Sequence, residues 1–86
     1  MSSQKRRVLY RTSDIYFAAY LCSIELEMVT TEEESGNDGN RKLVFVFRVP
    51  NSDIGRLKAS YFGGYATVKV RAFVDNLRAL KSMVYT

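Results

Sequence analysis

The chain has 86 residues and a net charge of +4, and its 47% hydrophobic and 26% charged residues are typical of one folded domain. A single cysteine excludes an internal disulfide, and the lack of histidine removes the most common general base and metal ligand. No apolar run approaches the ~20 residues of a membrane span, and no apolar segment follows the basic N-terminus. We therefore expect a cytoplasmic protein with no signal peptide and no membrane partner.

A strand and a helix are predicted after a short basic tail. Residues 1–6 are polar and basic, and we expect them to form a flexible tail in front of a single domain over residues 7–86. Alternating β-forming residues predict a strand over 7–11. Thr-Ser-Asp follows, which is typical of a helix start, so a helix is predicted over 14–23. Its apolar residues form two faces, so it must be covered on more than one side. They are Ile15, Ala18, Ala19 and Cys22 on one face, and Phe17, Leu21 and Ile24 on the other.

Two further strands, joined by a loop, are predicted next. Alternating apolar residues from Ile24 to Met28 indicate a strand with one face in water. Residues 30–42 hold three successive acids and then Gly, Asn and Asp, so we expect a long hairpin loop that is most mobile over 33–40. Residues 43–49 are almost continuously apolar, which predicts a central strand covered on both faces.

Two helices are predicted after Pro50. The first begins at 51–53 and ends at a Gly-Gly pair, and the link over 65–69 is either extended or a fourth strand. The second runs over 70–84, with an apolar stripe and a charged outer face. The stripe comprises Val70, Phe73, Val74, Leu77 and Leu80, and the outer face comprises Arg71, Asp75, Arg78 and Ser82. The order β-α-β-β-α-α predicts an α+β fold with a small three-stranded, mainly antiparallel sheet and helices packed on it.

Residues 10–21 read Tyr-Arg-Thr-Ser-Asp-Ile-Tyr-Phe-Ala-Ala-Tyr-Leu. An aromatic residue, then Thr-Ser-Asp, then a helix with Ala-Ala-x-Leu resembles the pattern of a family of short uncharacterised domains from bacteria and phages. The likeness continues through a strand such as 43–47 and a late helix such as 71–83. Family members usually have glycine where this chain has Ser-Ile-Glu at 23–25, and the loop over 32–40 is longer here. The resemblance implies no activity and no functional residue, and for a phage-encoded member it implies the interior of the host cell.

The sequence predicts no catalytic, cofactor or metal site. Cys22 lies on an apolar helix face, where we expect it to be buried and unreactive. The acids at 32–34 have no rigid element to hold a metal, and the Gly-Gly pair follows a helix, as a C-cap does and a phosphate loop does not. Phe45 and Phe47 are predicted to be core rather than an RNA-stacking platform, since the glycine of that motif is missing. We therefore expect a protein that is not an enzyme, with no cofactor and no small-molecule substrate.

Two functions from different classes remain. The first is a small non-enzymatic accessory or protein-interaction domain that forms a homodimer, because six tyrosines and five phenylalanines are many for so short a chain. We expect its interface to include the first or third helix. The alternative is a nucleic-acid-binding protein that uses a basic N-terminal arm and the last helix. The residues predicted to contact nucleic acid are Lys5, Arg6, Arg7, Lys69, Arg71, Arg78 and Lys81.

Overall fold

Three strands form one antiparallel sheet in the spatial order β1-β3-β2. Strand β1 comprises Arg7–Thr12, β2 comprises Glu27–Ser35 and β3 comprises Arg41–Pro50. The structure, a computed structural model, describes residues 6–35 and 41–84. The continuously apolar strand is central, so the predicted position of the third strand is confirmed.

In the described part of the chain three helices complete the fold, which confirms the predicted α+β class and the order β-α-β-β-α-α. Helix α1 comprises Ile15–Ser23, α2 comprises Ile54–Phe62 after a single 3₁₀ turn at Asn51–Asp53, and α3 comprises Val70–Val84. The link over 65–69 contains no strand. None of the helices described combines the length and apolar character needed to cross a membrane.

Helix α1 is enclosed by the rest of the chain. Its five central residues, 17–21, are all buried. On one side they pack against the alternate β3 residues Phe45, Phe47 and Val49, and on the other sides against residues of α2 and α3. Ala18 and Ala19 are fully buried, and α3 packs closely against α1. The expectation that α1 is covered on more than one side is therefore confirmed, and all three helices contribute to one core on the same side of the sheet.

The start of α1 is fixed by Asp14 rather than by a hydroxyl group. The Asp14 carboxylate accepts hydrogen bonds from the backbone N–H groups of Tyr16 and Phe17, at 3.0 and 3.2 Å. The Asp14 N–H in turn donates to the Thr12 hydroxyl at 3.1 Å. Asp14 is thus the N-cap, and the carboxylate satisfies two of the free amides of the first turn.

The end of α1 corrects the predicted start of the second strand. The N–H of Leu26 donates to the Leu21 carbonyl, and the N–H of Glu25 donates to the Cys22 carbonyl, which is the Schellman pattern of a helix C-terminus. In this pattern Glu25 has a left-handed backbone, with φ of 67°. Residues 24–26 therefore belong to the helix termination, and β2 begins only at Glu27. This is the segment where the resembling family usually has glycine, the residue that suits a left-handed backbone best.

The predicted long hairpin loop is also wrong over much of its length. Residues 30–35 extend β2 and residues 41–42 begin β3, with Glu33 opposite Leu43 and Glu34 opposite Lys42. Pairing with a strongly β-forming partner overrides the weak strand preference of successive acids. Of the segment predicted to be most mobile, residues 36–40 lie outside the described part of the chain.

Helix α3 has the predicted limits, but its apolar stripe is shorter than predicted. Leu80 is buried, and Phe73 and Leu77 pack against the same core. Val70 is instead 78% exposed, because it lies in the first turn, beyond the part of α3 that covers α1. Two residues of α1 outside its predicted apolar faces are also packed: Tyr20 is buried, and the Ser23 hydroxyl lies 3.4 Å from the Asn76 amide of α3.

We predict that Glu25→Gly stabilises the protein. A left-handed backbone at a residue with a Cβ atom lowers the free energy of unfolding by roughly 1–2 kcal/mol. Glycine removes this strain, but it also increases the freedom of the unfolded chain, which offsets part of the gain. The free energy of unfolding in urea should therefore rise by about 1 kcal/mol.

Glu25→Ala is the control, because it removes the charge and keeps the Cβ atom. It should leave the stability close to that of the wild type. A destabilised Glu25→Gly protein, or equal gains from both variants, would show that backbone strain at this position is not what limits stability.

Candidate functional site

One face of the sheet carries no helix, and we call it the open face. Along β1 the side chains alternate, with the half-buried Val8, Tyr10 and Thr12 towards the helices. The residues that point the other way form the open face. They are Arg7, Leu9 and Arg11 of β1, Lys42, Val44, Val46 and Arg48 of β3, and Glu27, Thr30, Glu32 and Glu34 of β2.

The centre of the open face is apolar and shielded by an ion pair. Val46 is only 1% exposed and Val44 5%, although both lie opposite the helical core. Arg11 lies beside Val46 on one neighbouring strand, and Glu32 lies beside Val44 on the other. The Arg11 Nε atom donates to a Glu32 carboxylate oxygen at 3.0 Å, so the pair spans β3. The aliphatic stems of these two side chains shield the valines from water.

The charges of the open face are divided between its two edges. On this face the charged residues of β1 are the cations Arg7 and Arg11, whereas those of β2 are all acids. A second ion pair joins the Arg48 Nε atom of β3 to a Glu27 carboxylate oxygen at 3.3 Å. Arg7 forms no ion pair with any residue that the structure describes. The face therefore has a basic edge, an apolar centre and an acidic edge.

Hydrogen bonding to Glu32, and then the attraction between the two charges, raises the pKa of Arg11 above its usual value. Both side chains are about half exposed, so the pair contributes little to stability by itself and is weakened by salt. Its larger effect is geometric, because it fixes a cation and an acid at known positions on either side of β3.

Two apolar side chains are exposed on or beside the open face. Leu9 is 49% exposed between the two arginines of β1. Val29 is 38% exposed and lies in a β-bulge, where the pairing of β2 with β3 passes from Met28 directly to Thr30. A bulge places an extra residue on one strand without a partner opposite, which leaves Val29 available for contact.

The residues predicted to contact nucleic acid do not come together. Arg6 and Arg7 are exposed at the start of β1, and the Arg6 carbonyl accepts a hydrogen bond from Asn51 at 2.7 Å. Lys5 lies outside the described residues. Because α3 covers α1 on the helical side, Arg7 and the cations of α3 lie on opposite sides of the domain.

The basic residues of α3 and the link before it divide into two kinds. Lys69, Arg71 and Arg78 are exposed, and none of them pairs with an acid among the described residues. Lys81 is half-buried, with its Nζ atom 5.8 Å from the centre of the Tyr16 ring. The aromatic residues Phe45 and Phe47 of β3 are buried in the core, as predicted, so they do not form a stacking platform.

The dimer interface was predicted to include the first or third helix, and α1 leaves little apolar surface for it. The apolar faces of α1 are covered within one chain, and Tyr16 is its only exposed residue. Among the described residues, the other exposed aromatic side chains are Phe62, at the end of α2, and Tyr65, which follows it and is 83% exposed. The Phe62 ring lies 5.3 Å from the Phe17 ring, so it is partly held by the core.

The open face was not found by sequence reasoning. Alternation of Arg7, Leu9 and Arg11 was a usable signal, since it placed two cations on one strand face. Glu32 was assigned to a loop, so its position opposite Val44 could not be anticipated. The contact that organises the face joins residues 21 positions apart on strands that are not neighbours in the sheet.

Other reactive groups in the described residues have ordinary structural surroundings. Cys22 is only half-buried, not buried as predicted, and this partial burial raises the pKa of its thiol. Burial is also the main reason that the pKa of Tyr61 is raised, with smaller contributions from the charges of Asp14 and Tyr16. Within residues 6–35 and 41–84, no three side chains of the types that bind metals come together.

The model of a family described as "Domain of unknown function (DUF5659)" matches residues 7–86. The matched range includes every strand and helix and all residues of the open face. No curated protein and no solved structure matches the chain significantly. The family match agrees with the resemblance of the sequence to uncharacterised domains, and its description names no activity.

We predict that Cys22 reacts slowly with a thiol reagent in the native protein. Its raised pKa lowers the thiolate fraction near pH 8, and the surrounding side chains restrict access. Labelling by a chromogenic disulfide reagent should be slower than in urea-unfolded protein, and the difference should narrow as the pH rises through the folded pKa. Equal rates in the native and unfolded protein at pH 8 would contradict this prediction.

Proposed function

We propose that this chain, which belongs to the DUF5659 family of domains of unknown function, is a small non-enzymatic interaction domain that associates with a second copy through its open face. The observation that carries the proposal is the charge distribution of this face. A symmetric dimer uses the same patch on both partners, so the patch must be complementary to itself. A surface with a basic edge on one side and an acidic edge on the other meets that requirement.

The edges of the sheet are poor alternatives for association. The outer strand β2 carries Glu32, Glu33 and Glu34 in succession, and edge-to-edge pairing of two such strands would set acids against acids. The other outer strand, β1, carries Arg7 and Arg11 and has the same difficulty. Charged residues on edge strands are a common means of preventing such pairing. Association through the face avoids both conflicts.

The open face is small, which sets the expected strength of association. Three strands of this length present on the order of 400 Å², whereas a standard interface buries about 800 Å² per partner. Much of the contact is between partly exposed charges, which salt screens. We therefore expect a weak, salt-sensitive dimer rather than a permanent one.

We predict that the protein self-associates at high concentration and low salt, and that Leu9→Glu prevents this at any salt concentration. Leu9 is 49% exposed at the centre of the basic edge, so the change adds an acid without disturbing the core. Sedimentation velocity over a range of concentrations measures the association.

Tyr65→Glu is the matched control, because it introduces the same charge at an exposed apolar residue away from the open face. It should leave association unchanged. A wild type that remains at 9.8 kDa under all conditions would overturn the proposal. Loss of association in Tyr65→Glu alone would move the interface to the aromatic surface near α2.

Nucleic-acid binding is a second candidate, and one observation favours it. Lys69, Arg71 and Arg78 are exposed near or on α3, and no described acid pairs with them. Asp75 lies on the same outer face, which weakens the local field. Because Arg7 lies on the opposite side of the domain, one duplex would contact only one of the two basic groups.

We predict that any affinity for random duplex DNA depends on α3 and not on β1. Fluorescence anisotropy at low salt should show weaker binding for Arg78→Glu, with a salt slope lowered by about one unit per lost phosphate contact. Arg7→Glu should bind like the wild type. No binding by the wild type at low salt would eliminate this candidate, and a loss confined to Arg7→Glu would place the contact on the open face.

A further inference from the structure

We infer that the two copies pack sheet against sheet about a two-fold axis parallel to β3, so that β1 of each copy lies over β2 of the other. This inference rests on the proposed function and specifies its geometry. The partner is a second copy of the chain, and the contacts that select the arrangement are the two charged edges of the open face.

The choice of axis follows from the strand order. A two-fold rotation about an axis parallel to the strands places the second sheet face to face with the first. It exchanges the two edges of the sheet, and each residue keeps its position along the strand direction. Since β1 and β2 lie on opposite sides of β3, this rotation sets the basic edge over the acidic edge, twice in each dimer. A rotation about an axis across the strands would set β1 over β1 and β2 over β2, and like charges would oppose each other. Sheets that pack with nearly aligned strands are also one of the two common arrangements.

The pairing register gives the level of each contact. Arg11 and Thr30 lie at the level of Val46, and Glu32 lies at the level of Val44. Arg11 therefore lies above the segment from Thr30 to Glu32 of the partner subunit. Each Glu32 then has its own Arg11, at 3.0 Å, and Arg11 of the partner subunit as neighbours.

The central strand fits the same arrangement. Val44 and Val46 are already covered by the Arg11–Glu32 pair of their own chain, so an axis above β3 stacks this pair on the equivalent pair of the partner subunit, with the two pairs running in opposite directions. The two cations of β3 also meet their equivalents, but each has an acid beside it. Arg48 pairs with Glu27 at 3.3 Å, and Lys42 lies opposite Glu34 in the sheet. The like charges of the two β3 strands are therefore partly neutralised within each copy.

Charge reversal at Arg11 and Glu32 tests the axis directly. Arg11→Glu alone would set acid over acid in a homodimer, and Glu32→Lys alone would set base over base. We expect each single variant to self-associate at least about tenfold more weakly than the wild type. An equimolar mixture of the two should regain wild-type association, because every facing pair is then of opposite charge. Sedimentation velocity of each variant and of the mixture measures this.

The double variant Arg11→Glu/Glu32→Lys provides the sharper control, since it keeps an ion pair within the chain. It should associate with itself about as well as the wild type. It should not associate with the wild type, because its β1 carboxylate would face the wild-type Glu32 and its β2 ammonium group would face the wild-type Arg11. Energy transfer between donor-labelled wild type and acceptor-labelled double variant measures the mixed dimer.

The outcomes separate the geometry from the function. If the wild type associates but the mixture of the two single variants does not, the proposed axis is wrong and the proposal of self-association is retained. If the wild type prefers the double variant to itself, β1 lies over β1 and the alternative axis holds. A wild type that does not associate overturns both proposals. If a single variant melts well below the wild type, the double variant still decides between the axes.

Discussion

Enclosure of α1 is the constraint on which the rest of the structure depends. Five consecutive residues, 17–21, are buried, so neighbours must lie on every side of the helix. The sheet supplies one side, α3 packs closely along another, and α2 closes the remaining side through Tyr61. The described part of the chain has only three helices, and the other two pack around α1 on its side of the sheet. The second face of the sheet is therefore left without a helix.

Side chains of the open face cover the part of β3 that the helices leave uncovered. A central strand that is apolar on both faces needs cover on both faces, yet the helices cover only the face that carries Leu43, Phe45, Phe47 and Val49. On the other side Arg11 and Glu32 reach across β3, and their stems shield the valines while their charged ends remain in water. Because the two charges come from opposite edges of the sheet, the same solution gives the face its polarity.

Local patterns in the sequence were sufficient for the order and type of the elements, and long-range pairing accounts for most of what they missed. Helix α3 and the central strand are strongly periodic or continuously apolar, so their limits were predicted well. The start of β2 was misplaced because Glu25 adopts a left-handed backbone that no local preference indicates. The acids at 32–34 were assigned to a loop, since only their partner strand makes them a strand. The candidate site depends on that register, so it could not be predicted from the sequence.

In the dimer that we propose, one ion pair both covers β3 and meets the second copy, and the geometry nevertheless allows the two effects to be separated. Breaking the pair at either Arg11 or Glu32 removes the cover of Val44 and Val46 and also removes a charge that a second copy would meet. A loss of association in such a variant has two explanations. Reversing both charges keeps the cover, since a carboxylate on β1 and an ammonium group on β2 still meet across β3. The structure of the monomer is then unchanged, while the cation and the acid on the open face have exchanged places. Any change in the choice of partner therefore comes from the charges at the interface alone.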